Sequence, residues 1–205
     1  SRTTQITSNT YATYEQALGS HTIKVTAGIN VESGEYSEQF SKKMGLMDKE
    51  LGQLPLAYGA ATVNGDASDW AVVGWFGRIN WNYKNKYLAE VNGRIDGSSN
   101  FPAHSRWGFF PSFSAGWVLS REPWMKDLKG LDNLKLRASW GKLGNNSIGN
   151  YDWQSTYGTT KYSFGGEIIN GLSITAIKNY ALTWEETAVT NVGVDFGVLD
   201  NRLTG

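Results

Sequence analysis

The chain has 205 residues, and its 19 basic and 19 acidic side chains balance to zero net charge. That balance leaves no basic footprint for nucleic acid, and the absence of cysteine excludes disulfides and thiolate metal sites. No apolar run reaches the ~20 residues of a transmembrane helix, while 9 Trp, 10 Tyr and 24 Gly against only 4 Pro suit strands and turns rather than a disordered linker.

Arg2 to Gln16 (RTTQITSNTYATYEQ) is rich in Thr and Tyr, which suits a strand whose two faces are hardly distinguished. Leu18-Gly19-Ser20 predicts a tight turn. Ile23, Val25, Ala27, Ile29 and Val31 then alternate with Lys24, Thr26, Gly28, Asn30 and Glu32. A period of two is a strand with one apolar and one polar face. Residues 37–71 lose the alternation and predict a loop, with a short helical turn around Lys49. Alternation returns with Val73, Trp75, Ile79, Trp81 and Tyr83 against Arg78, Asn80 and Asn82. Asn85-Lys86 closes a hairpin, and Tyr87, Ala89, Val91 and Ile95 follow against Glu90, Asn92, Arg94 and Asp96.

Asp96-Gly97-Ser98-Ser99-Asn100 is dense in turn formers, with Asp96 expected to cap local backbone amides. Phe109, Pro111, Phe113, Ala115, Trp117 and Leu119 then share one parity, and Ser112, Ser114, Gly116 and Ser120 the other. Glu122 to Asn133 predicts a helical turn with a glycine exit. Leu134, Leu136, Ala138 and Trp140 alternate with Lys135, Arg137 and Ser139. From Gly144 to about Ala181 the pattern dissolves into a presumed external loop that includes Gly165-Gly166. Val192, Val194, Phe196 and Val198 alternate with Asn191, Gly193, Asp195 and Gly197 before an Asp200-Asn201 turn.

Connections near 17–20, 84–86, 121–133 and 199–202 are compact, and those at 37–71, 98–108 and 144–182 are long. Short and long alternate in strict order, as on the two rims of an up-and-down outer-membrane barrel. A soluble sandwich also alternates. Against it stand charges in mid-strand (Lys24, Arg78, Glu90, Arg94, Asp96, Lys135, Arg137 and Asp195), bulky Trp on the apolar faces, and aromatics gathered near strand ends. The predicted fold class is all-β: an antiparallel, up-and-down transmembrane β-barrel segment of about 7–8 strands.

RIDGSSNF (94–101) followed by RWGFFPSFSAGW (106–117) closely resembles the SusC/RagA-like TonB-linked outer-membrane proteins. WFGRINWNYKNKYLAEVNGRIDGSSNF (75–101) is similar to that family's hairpin and loop motif. Residues 106–151 resemble its next two strands, LTWEETAVTNVGVDFG (182–197) a later strand with its Trp-Glu entry, and residues 9–33 an earlier hairpin. The resemblance implies a wall of an active importer of glycans or peptides in a bacterial outer membrane, energised by TonB and capped by a SusD-like surface lipoprotein. Transporters of this kind close with about 22 strands around a plug. Residues 1–205 therefore read as part of one barrel domain with the plug and remaining strands absent, and both ends as cut. The alternatives are a self-contained outer-membrane porin or adhesin and a secreted carbohydrate-binding β-sandwich.

No catalytic constellation is found, so no enzyme activity, cofactor or metal is expected. His21 and His104, the 2 histidines, lack a second ligand type at ligand spacing and read as turn or loop residues. Glu185-Glu186 point to opposite faces of a strand and cannot flank one bond. Trp107, Tyr151, Trp153, Tyr157 and Tyr162 lie in or beside the external loops, where flat rings can stack on sugars; packing of loop on loop is the competing reading. Arg78, Glu90, Arg94, Asp96 and Arg137 are expected to face the lumen.

Overall fold

A computed structural model of the chain describes residues 1–48, 50–125 and 130–205. The described strands are β1 (Arg2–Leu18), β2 (His21–Lys43), β3 (Ala61–Tyr83), β4 (Tyr87–Ser98), β5 (Trp107–Val118), β6 (Leu131–Asn145), β7 (Thr156–Phe164), β8 (Glu167–Ala176), β9 (Glu185–Val198) and β10 (Leu203–Thr204). Eight of them form one antiparallel sheet in the order β1-β2-β3-β4-β5-β6-β9-β10, while β7 and β8 pair with each other alone. Sequence neighbours are therefore spatial neighbours throughout, with one hairpin inserted between β6 and β9. The connections at 19–20, 84–86 and 199–202 and the described part of the β5–β6 connection, 119–125, share one rim, and the long ones share the other.

Unbroken register fixes the faces. Val25, Ile79, Val91, Phe113 and Trp140 stand in one cross-strand row, and Lys24, Asn80, Glu90, Ser114 and Ser139 in the adjacent row on the opposite face. The apolar row lies open. Trp75 is 55% exposed, Phe113 48% and Val192 81%. Leaving such a face in water forgoes ~25 cal/mol per Å². Among the described residues the second sheet is the β7–β8 pair alone, and the apolar face is open rather than packed as the inner face of a sandwich would be.

Two expectations need correction. Residues 37–71 are not one loop: β2 runs to Lys43 and β3 begins at Ala61, with a 3-10 turn at Leu54–Leu56 between them. The 23 residues of β2 span about 75 Å, or nearly 60 Å of height at ~40° tilt, against an apolar band of ~25 Å. Past the band both faces meet water, so pairing persists without alternation. The region 144–182 likewise contains the β7–β8 hairpin. Its turn is Gly165-Gly166, at φ +63° and +85°, where the left-handed backbone suits glycine and the two-residue turn matches strand twist. The helical turn expected around Lys49 lies outside the described residues. So does 126–129 of the turn expected over Glu122–Asn133; of the rest, Pro123–Met125 is a short 3-10 turn, preceded by another at Leu119–Arg121, and Leu131 to Asn133 already belong to β6.

Candidate functional site

The concave polar face carries all five residues expected in the lumen. Register sets Arg78 opposite Asn92, Glu90 opposite Asn80, Arg94 opposite Phe76, Asp96 opposite Gly74, and Arg137 opposite Gly116. Arg78 Nε donates to Asn92 Oδ1 at 2.7 Å, and Asn92 Nδ2 donates to Glu90 Oε1 at 2.7 Å and Ser112 Oγ at 3.1 Å. Asn80 donates to the other oxygen of Glu90. Arg137 Nε donates to Asp195 at 3.0 Å, with Lys135 Nζ 3.8 Å from the same carboxylate. Exposed pairs of this kind are worth ~0–1 kcal/mol each. Their effect is to tile the wall with alternating charge, so that no single sign dominates it.

Asp96 does not cap local amides. Its carboxylate accepts Arg94 Nε through both oxygens at 2.7 Å, and it is only 7% exposed. The pair lies across Gly74 of the neighbouring strand, where a Cβ would collide with both partners. Ser98 does the capping, accepting the Asn100 N–H at 3.2 Å. Asn30, on the polar parity of β2, is 8% exposed and donates to Asn9 Oδ1 at 2.6 Å.

Above this wall the long connections fold inward. The buried core among the described residues is Phe101, Phe110 and Trp184, with the Trp184 ring 5.2 Å from each phenyl centroid. Asn146 Nδ2 donates to Ser98 Oγ, Asn100 Nδ2 to the Ile148 carbonyl at 3.2 Å, Ser105 Oγ to the Leu182 carbonyl at 2.6 Å, and Trp184 Nε1 to the Arg106 carbonyl at 2.9 Å. Three separate connections are thus braced into one shelf. Beside it opens a concavity of about 470 Å³ lined by Asn30, Glu32, Trp70, Arg94, Asp96 and Trp184, among others.

None of the five loop aromatics lines that concavity. Trp107 pairs with Gly97 on the apolar outer face; it is a rim residue of that face, not a lumen residue. Tyr151 is tied to Asp69 by two hydrogen bonds, and the Asp69 carboxylate that accepts its hydroxyl proton raises the Tyr151 pKa above its ordinary value. Trp153 packs at 6.2 Å against Tyr180, which meets His104 edge-on at 6.4 Å. Tyr157 and Tyr162 stand exposed on the separate hairpin. Sequence reasoning missed Trp70 and Trp184 as aromatics of the concavity. The LTWEE run held the signal for Trp184, while nothing in the sequence around Trp70 separates it from a loop residue.

The opposite rim carries an aromatic ladder on the outer face. His21 meets Tyr83 in a tilted arrangement at 4.5 Å, Tyr83 stacks on Tyr87 at 6.1 Å, and Tyr87 on Trp117 at 6.2 Å. Glu122 in the compact β5–β6 connection ends it, accepting from Tyr87 OH at 2.7 Å, Trp117 Nε1 at 3.1 Å and Lys86 Nζ at 3.1 Å. These donors, Tyr87 first, lower the Glu122 pKa below the usual carboxylate value. A carboxylate depressed in the folded state stabilises above its unfolded pKa and loses that contribution as pH falls through the lower, folded one. Thermal melting of the wild type is therefore expected to drop below pH ~4.3 more steeply than that of Glu122→Gln; parallel pH profiles would contradict this role.

No family model matches the chain. A TonB-dependent receptor of Formosa agariphila is 30% identical over 203 residues, which are 98% of this chain and 20% of that protein. The TonB-dependent receptor SusC of Bacteroides thetaiotaomicron is 39% identical over 141 residues, 65% of this chain and 14% of that protein. The RagAB peptide transporter superposes with a TM-score of 0.90 at 23% identity, covering 98% of this chain and 22% of that one. The chain spans about a fifth or less of the length of the curated relatives it matches.

Proposed function

The chain belongs to the SusC/RagA-like TonB-dependent receptors, as a stretch of their β-barrel, and we propose that it forms wall strands and external loops of an outer-membrane nutrient importer. The observation that carries this reading is the two-faced sheet. One face is apolar, uncovered and edged with aromatics; the other is a tiled polar wall under inward-folded loops. Lipid suits the first and a wet lumen the second.

In this reading residues 1–205 are part of a larger barrel whose plug and further strands lie elsewhere in the protein. The plug would answer to TonB, and a SusD-like lipoprotein would sit over the long-loop rim. The cargo is a glycan or peptide, and the charge-balanced wall favours neither polycations nor polyanions. Arg78, Glu90, Arg94, Asp96 and Arg137 face that cargo or the plug, and of the loop aromatics Tyr157 and Tyr162 stand exposed on the β7–β8 hairpin. In this reading none of the described residues acts on a covalent bond.

Uptake into cells that carry the full-length protein tests this, with a panel of labelled oligosaccharides and oligopeptides. Accumulation of intact cargo that stops when TonB is deleted is the expected result. Uptake that persists without TonB would favour the porin alternative, and cleavage products that vanish with His104→Ala would make the protein an enzyme.

A further inference from the structure

Outside the apolar band β3 loses its neighbour on one side. It pairs with β4 only from Val72 onward, and from Ala61 to Ala71 it is paired, among the described residues, with β2 alone. A free edge of this kind offers a row of backbone donors to any extended chain. Alternate peptide groups of a strand point to opposite sides, so the donors on this edge belong to residues of one parity. Each of four in succession meets a side-chain oxygen at 2.9 Å. Gly65 N–H donates to Asn64 Oδ1, Ala67 N–H to Asp66 Oδ1, Asp69 N–H to the Tyr151 hydroxyl, and Ala71 N–H to Ser99 Oγ. Two oxygens come from the strand itself and two from separate connections. The Tyr151 hydroxyl in turn donates to the Asp69 carboxylate, which holds that cap from both ends.

We propose that Asn64, Asp66, Tyr151 and Ser99 guard the free edge of β3 against strand addition by a second copy of the same edge. An antiparallel pairing about a two-fold axis would bring like residues together. Gly65 and Ala67 put no bulk in its way, so the occupied donors are the barrier. Tyr151 is the cap that also anchors the loop entering β7, so guarding the edge and placing that loop are one act.

The test uses the full-length protein in outer membranes and in detergent, with Asn64→Ala, Asp66→Ala and Tyr151→Phe combined. Amide hydrogen exchange at Gly65, Ala67 and Asp69 is expected to quicken by about tenfold or more, one hydrogen bond of ~1.4 kcal/mol being a factor of ten. Tyr151→Phe alone should quicken Asp69 and leave Gly65 and Ala67 unchanged. A cysteine placed at Ala67 should cross-link to a second copy in the triple variant and stay single in the otherwise wild-type background. Unchanged exchange in the triple variant overturns the proposal. So does faster exchange without cross-linking, and so does cross-linking of the guarded protein.

Discussion

Phe101→Ala is expected to cost about 3–5 kcal/mol of local stability, the range for emptying a buried phenyl site. Phe101 is 0% exposed and packs against Trp184, which also holds Phe110. The cavity opens where three connections are cross-braced, so the shelf should loosen while the strands below keep their pairing. Hydrogen exchange reads this directly. The amides of Ser98 and Phe101, which donate to the Arg106 and Ser98 carbonyls, should lose protection, and those of Asn80 and Glu90 in mid-strand should keep it. Equal loss at both places would mean that the loop core supports the whole wall.

Ile79→Arg is expected to cost about 2–4 kcal/mol, the price of a guanidinium near the bilayer midplane on the lipid face of a barrel. Ile79 lies between Val25 and Val91 in the outer row and is 49% exposed, so half of the side chain meets no neighbour in the sheet. Ser114→Arg sets the comparison. Ser114 stands opposite Glu90 on the concave face and lines a cavity of about 450 Å³, where a long cation has both room and a carboxylate. Its cost in chemical denaturation of the lipid-reconstituted protein should be well under 1 kcal/mol on the scale of exposed ion pairs.

The barrel wall was legible in the sequence wherever lipid imposes a choice of face. Ile23–Val31, Val73–Tyr83 and Val192–Val198 alternate because one side of each strand must be apolar, and the structure pairs all three as read. The outer halves of β2 and β3 were not legible. Glu35, Ser37 and Gln39 pair with Asp69, Ala67 and Gly65 in water, where the backbone ladder alone sustains the strand and no periodicity records it. Gly165-Gly166 was read only as part of an external loop, because its flanking runs, Thr156–Phe164 and Glu167–Ala176, have exposed residues on both faces and so show no alternation. The shelf was half legible: RIDGSSNF carried the family resemblance, yet nothing local tells that Ser98 would bind Asn146 or that Phe101 would seek Trp184. Those contacts join positions 48 and 83 residues apart, and the turn-forming composition around Asp96 favoured a local cap that the Arg94 guanidinium displaces.

The sidedness of the sheet is tested most directly by single cysteines at Ile79 and Asn80, adjacent residues on opposite faces, labelled with a fluorophore in the full-length protein in outer membranes. A lipid-soluble quencher is expected to dim the probe at residue 79 and not the probe at residue 80, and a water-soluble quencher to do the reverse. A probe at residue 79 shielded from both lipid and water would place a protein core against that face, and the membrane wall would fall with it.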